Sequence, residues 1–69
     1  MTTYTTGTKW EIVDYDATTD TYSAIECVIV ALDCTGASVL TDGSELRDVR
    51  FDDLLPVGEG QVCAAEMNA

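Results

Sequence analysis

Apolar and polar positions alternate from Lys9 to Tyr15, with Trp10 and Ile12 pointing one way and Glu11 and Val13 the other. Period-two alternation of this kind predicts a half-buried strand. Asp16-Ala17-Thr18-Thr19-Asp20 is polar turn material. The hydrophobic centre follows, from Tyr22 to Leu32, and between Ala24 and Leu32 only Glu26 is polar. Its Cys27-Val28-Ile29-Val30 run is strongly β-branched and favours a strand. Periodicity alone leaves a helix open for a continuous apolar run. Glu26 facing water would leave that strand one open face.

Asp33-Cys34-Thr35-Gly36 reads as a four-residue hairpin loop, with Gly36 free to take positive φ. Ala37 to Thr41 returns as a short strand, and Asp42-Gly43 signals a two-residue hairpin turn. Glu45 to Phe51 is the next strand, with Val49 and Phe51 inward and Arg47 outward. A short helix beginning at Ser44 is the alternative. Asp52-Asp53-Leu54-Leu55-Pro56 predicts one helical or 3₁₀ turn, capped by an Asp and ended by Pro56. Gly58 and Gly60 bracket a loop. Gln61 to Met67 is a closing strand or a short helix, and Ala64, Ala65, Glu66 and Met67 favour helix by propensity. Met1 to Thr6 is a frayed end or an edge strand. The predicted core is Trp10, Ile12, Ala24, Val28, Val30, Val39, Leu46, Val49, Phe51 and Leu54.

No linker, repeat or low-complexity block divides the chain, so residues 1–69 are expected to form a single domain. A chain this short buries roughly 60% of its unfolded surface, which makes stability marginal. At 46% hydrophobic residues it is nevertheless too apolar to be disordered. No apolar run approaches the roughly 20 residues that cross a bilayer. The start has neither a basic nor an apolar stretch, so no signal peptide is expected. Three cysteines are an odd number for a disulfide scaffold. Cys27 and Cys63 read as small buried hydrophobes. With no His and no C-x-x-C pair, no zinc site is expected. A reducing, cytoplasmic location fits best.

Catalytic chemistry finds little support. No His is present to act as base, and Cys34 has no cation nearby in sequence to activate it. Asp14-x-Asp16-x-x-x-Asp20 invites a calcium reading. An EF-hand loop would need an oxygen ligand at its fifth position, Gly at its sixth and Glu at its twelfth, where this chain has Thr18, Thr19 and Ile25. No glycine-rich phosphate cradle exists. The chain is therefore not expected to be an enzyme or to hold a cofactor or metal. Trp10 and Phe51 read as core, while Tyr15 and Tyr22 flank the first acidic turn and are candidate interface anchors.

A Gly-x-x-Trp-x-Ile strand with an acidic turn after it (Gly7 to Asp20) leads to a Tyr-x-Ala strand that flows into a long apolar one (Tyr22 to Leu32). A hairpin, an Asp-Gly turn and Val49-x-Phe51-x-Asp53-Leu54-Leu55-Pro56 follow. This order resembles the small SH3-like barrels, in particular the Tudor and KOW-like group, over roughly residues 7 to 57. The resemblance implies a mainly β fold: a small, curled antiparallel SH3-like sheet of four to five strands with one or two short helical turns. A small α+β domain is the alternative. Tudor-type readers of methylated side chains use a cage of several aromatics, and at least Trp10 and Phe51 read as core here. Nucleic-acid-binding members of the wider group need basic surfaces, which this chain lacks. The fold is thus implied and its usual functions are not.

Charge supplies the strongest functional signal. Thirteen Asp and Glu face three Lys and Arg, for a formal net charge of -10. Self-repulsion on that scale opposes the compact state, so it points to a surface that something reads. One group follows the first strand (Glu11, Asp14, Asp16, Asp20), and another starts at the Asp-Gly hairpin (Asp42, Glu45, Asp48, Asp52, Asp53). A compact chain of this length is about 28 Å across, a span over which duplex DNA carries about 16 phosphates. The carboxylates are of the same order. Small size, missing catalytic groups and extreme acidity are similar in character to phage-encoded DNA-mimic inhibitors, among them small anti-CRISPR proteins. That resemblance implies a basic DNA-binding surface as partner, such as a subunit of a CRISPR surveillance complex, with no direct nucleic-acid or membrane contact. Anionic lipid would repel so acidic a surface. The expected interface is Asp14, Asp16, Asp20, Asp42, Glu45, Asp48, Asp52 and Asp53. Two other readings compete: an SH3- or Tudor-type module for basic peptides, and a halophile's small acidic protein.

Overall fold

The computed structural model describes residues 3–69. Four strands, β1 (Lys9–Asp16), β2 (Thr21–Leu32), β3 (Gly36–Thr41) and β4 (Leu46–Arg50), precede a 3₁₀ turn (Phe51–Asp53) and one helix, α1 (Glu59–Met67). The strands form an antiparallel meander in the order β1-β2-β3-β4. After the 3₁₀ turn the chain returns to the free edge of β1. There Glu11 N–H donates to Leu55 C=O at 2.8 Å and Leu55 N–H donates to Glu11 C=O at 2.9 Å. This single-residue bridge draws the curled sheet into a half-barrel. The fold is mainly β, as expected, and compatible with an SH3-like architecture. Residues 44–55 hold a strand and a 3₁₀ turn rather than the alternative α-helix. The C-terminal segment is the helix that its propensity favours. Of the expected frayed or edge-strand start, Met1 and Thr2 lie outside the described residues, and residues 3–5 belong to no strand.

The core fills the concave face: Trp10, Ile12, Cys27, Ile29, Ala37, Val39 and Leu54 are buried, with Tyr4, Ile25, Val49 and Phe51 packed against them. Register fixes this set. Trp10 pairs with Cys27 and Ile12 with Ile25, so these four share a face. The expected phase of β2 is therefore corrected: Ile25, Cys27 and Ile29 point inward, whereas Val28 is half-buried and Val30 lies 45% exposed. Glu26 faces water on the outer side and sets that parity. A register shift between Ile29 and Ala31 leaves Val30 without a cross-strand partner. Leu46, expected in the core, is 65% exposed on the outer face, and Ala24 is half-buried beneath α1.

Val49 of β4 and Phe51, which opens the 3₁₀ turn rather than ending the strand, pack inward as expected. Arg47 shares their parity, so it also lies on the concave side and is not directed outward. Its guanidinium reaches Asp14 of β1 at 3.4 Å and Glu45 at 2.8 Å, across the mouth of the half-barrel.

The turns show how short polar side chains replace backbone partners. Asp33 Oδ1 accepts N–H bonds from Thr35 (2.8 Å) and Gly36 (2.7 Å) and a bond from the Thr35 hydroxyl. These donors hold the Asp33 carboxyl below its ordinary pKa. Gly36 is needed for space and not, as expected, for positive φ: a Cβ there would sit 2.1 Å from the Val49 carbonyl oxygen. The Asp-Gly hairpin is a three-residue loop rather than a two-residue one. Ser44 N–H donates to Thr41 C=O at 2.9 Å, and Ser44 itself takes φ of 63°. The 3₁₀ turn is entered from Arg50 with no side-chain cap, so the expected Asp cap is absent.

Helix α1 lies over the outer face of β1 and β2, with Gly60 and Ala64 buried against the sheet. Just past its end, Asn68 pairs with the Tyr22 backbone in both directions, each bond 2.7 Å long. Tyr22 lies on the part of β2 beyond the end of β3, so the Asn68 amide substitutes for a missing strand.

Candidate acidic interface

One carboxylate that sequence placed among the exposed acids is built into the fold. Glu11 is 2% exposed, and its Oε1 accepts the Gly58 N–H at 2.9 Å where α1 begins. A carboxylate at a helix N-terminus satisfies an otherwise orphaned donor and meets the positive end of the dipole. The fit is tight. A Cβ on Gly60 would stand 2.7 Å from Glu11 Cβ and 2.8 Å from Oε1. Glu11 is directly opposite Glu26 across the strands. The two acids diverge, Glu11 toward the helix and Glu26 toward Lys9 at 3.5 Å. Burial, then the Glu11 and Glu26 charges, push the Cys27 thiol up in pKa.

The eight expected interface residues do not form one surface. Asp14 and Glu45 are both bound to Arg47, which their hydrogen bonds hold more firmly protonated. Asp42 stands at the β3–β4 hairpin, in a depression of about 340 Å³ that it shares with the Lys9–Glu26 pair. Asp48 lies on the outer face of β4 and accepts the Ser38 hydroxyl at 2.7 Å. Asp52 and Asp53, in the 3₁₀ turn, line a groove with Tyr15 and Tyr22, and Asp52 also borders the Cys34–Thr35 loop beside Arg50. The hairpin group that looked contiguous in sequence is thus divided.

Between the 3₁₀ turn, β1 and α1 lies a groove of about 270 Å³, lined by Val13, Tyr15, Tyr22, Leu55, Cys63 and Met67 together with the exposed Asp52 and Asp53. Tyr15 and Tyr22 are register partners on β1 and β2, with ring centroids 5.0 Å apart at 49°. The Tyr15 hydroxyl donates to Asp20 Oδ1, and its pKa is raised by that bond first, then by desolvation and neighbouring Tyr22. Tyr15 is 48% exposed. Sequence reasoning named the two tyrosines and the two aspartates separately. It missed Val13, Leu55 and Met67, whose signal lay in the outward phase of β1 and the helical propensity of the C-terminal segment. Cys63, expected as a small buried hydrophobe, is half-buried in the lining of this groove.

The other aromatic cluster is closed. Tyr4 stacks on Phe51 at 4.6 Å and lies 4.9 Å from Trp10, so the three rings fill the space between them. Among the described residues, no three metal-ligating side chains gather and no helix is long and apolar enough to cross a membrane. The chain matches no known protein family, no characterised protein and no solved structure.

Proposed function

We propose that this protein is a non-catalytic acidic ligand that occupies a cationic nucleic-acid-binding groove on another protein, acting as a DNA mimic. One observation carries the reading. Lys9 and Arg47 are already engaged in ion pairs, while Asp16, Asp20, Asp42, Asp48, Asp52, Asp53, Glu59 and Glu66 are exposed and have no ion-pair partner among the described residues. Such a surface lowers stability by self-repulsion and repays it only on meeting opposite charge. The longest dimension is 32 Å, over which duplex DNA carries about 19 phosphates. The net charge of -10 is about half of that, the share of one strand. The partner-binding acids are Asp16, Asp20, Asp42, Asp48, Asp52 and Asp53, with Asp14 and Glu45 contributing at the Arg47 seam. A CRISPR surveillance complex, blocked from loading its target duplex, is the target class that the charge character suggests.

The closed Tyr4–Trp10–Phe51 cluster leaves no open aromatic cage there, which weighs against a methyl-lysine reader built on those rings. The test is displacement of a fluorescent duplex from a panel of purified DNA-binding proteins, a CRISPR surveillance complex among them. Stoichiometric displacement at low salt that fades near 0.5 M, where the Debye length is only about 4 Å, is the expected result. No displacement from any member at low salt would sink the proposal. A domain that folds only in molar salt would favour the halophile reading instead.

A further inference from the structure

We infer that the groove between Tyr15, Tyr22, Asp52 and Asp53 is a socket for an arginine side chain of the partner. The inference rests on the proposed function and names the group that the acidic surface grips. The apolar part of the lining is half-buried Val13 and Leu55 with the more exposed Met67, and it suits the aliphatic stem of a long cationic side chain. Two tyrosine rings tilted at 49° form one wall, and a guanidinium stacks on such faces better than an ammonium does. The lining also carries Asp52 and Asp53, neighbours in sequence, neither of which has an ion-pair partner among the described residues. A planar fork of donors against carboxylates gives the strongest charge-assisted geometry available.

No cationic side chain among the described residues lines the site. Arg47 is committed to Asp14 and Glu45, and Lys9 to Glu26. Arg50 lines a separate depression with Cys34, Thr35 and Asp52 and makes no ion pair among the described residues. The groove therefore combines net negative charge, aromatic faces and an apolar lining. Lysine would use the charge and the lining but not the fork, so arginine is the specific occupant.

Two capped hexapeptides of equal charge, one with three arginines and one with three lysines, test this by calorimetry. The arginine peptide should bind about fivefold more tightly, the increment of an exposed cation–π contact plus forked pairing. The double change Asp52→Asn with Asp53→Asn should weaken the arginine peptide about tenfold and erase the preference. Asp42→Asn with Asp48→Asn removes the same charge elsewhere. It should weaken both peptides about twofold and keep the preference. The arginine peptide should also slow alkylation of Cys63 in the groove wall and leave that of exposed Cys34 unchanged.

Equal affinity for the two peptides, equal losses in the two double variants, or no protection of Cys63 would overturn the socket. Each of those results leaves the DNA-mimic reading standing if wild-type protein still displaces duplex. Failure of both assays would remove both.

Discussion

Glu11 and Asp14 are tied into the fold from β1, whereas Asp52 and Asp53, beside the Tyr15–Tyr22 groove, make no ion pair or side-chain hydrogen bond among the described residues. Glu11 is enclosed by the start of α1 and Asp14 is held by Arg47. Asp52 and Asp53 are exposed in the lining of a groove. The carboxyl chemistry is nearly the same and the environments are opposite. At the seam where β1 meets α1 and β4, a negative charge answers a helix terminus or a guanidinium and so supports the fold. At the groove, Asp52 and Asp53 have no ion-pair partner among the described residues, although Arg50 borders a depression with Asp52, so under the proposed function a cation from outside would stabilise them. A count of acidic residues thus says little until it is divided into charges the fold uses and charges it leaves open.

The seam is most easily broken through its glycines. Gly36→Ala should cost about 3 kcal/mol, because its Cβ would meet rigid backbone rather than a side chain that can turn away. Gly60→Ala should cost about 2 kcal/mol by prying α1 off Glu11. Urea unfolding followed through buried Trp10 reads both, and wild-type stability in either variant would mean that α1 and β4 pack more loosely than described. Glu11→Ala should cost about 1–3 kcal/mol by stranding the Gly58 N–H. Glu11→Gln keeps an acceptor and should recover about half of that loss. Similar losses for the two would show that the acid is not acting as a cap.

Smaller effects sharpen the contrast. Arg47→Ala should lower stability by less than about 1 kcal/mol, because its ion pairs are partly exposed and screened. A double-mutant cycle with Asp14→Ala should show coupling that salt weakens. The Asp52→Asn and Asp53→Asn pair should change stability by no more than about 0.5 kcal/mol while it lowers partner affinity. The smallest effect concerns acid. The folded protein holds the Asp33 carboxyl below its unfolded value, so its contribution is complete above the unfolded carboxylate range. That contribution is lost as pH falls through the lower folded value. An acid titration of Asp33→Asn should therefore lose less stability than wild type over that window.

Much of the sheet was legible in sequence. Alternation gave β1, β-branching gave β2, and the Asp33 and Asp42 loops gave both hairpins. The β2 phase was legible too, because Glu26 in the middle of the apolar run fixes which neighbours face water. The expected core nevertheless took Ala24, Val28 and Val30, which share the parity of Glu26. Glu11 was not legible, since its burial depends on a helix that starts at Gly58 and covers it from 47 residues away along the chain. The groove was hidden for the same reason. Asp52 and Asp53 reach Tyr15 and Tyr22 only because the 3₁₀ turn carries the chain back to β1, and local pattern does not encode that return.

The most direct test of the division between open and committed charges is the salt dependence of affinity for a DNA-binding protein from which this protein displaces duplex. Wild type should show a steep linear fall of log affinity with log salt. Neutralising Asp16, Asp20, Asp52 and Asp53 to Asn should flatten that slope, whereas Arg47→Ala, which frees Asp14 and Glu45, should not flatten it. A slope that survives neutralisation of those four, or that is flat in the wild type, would contradict the account.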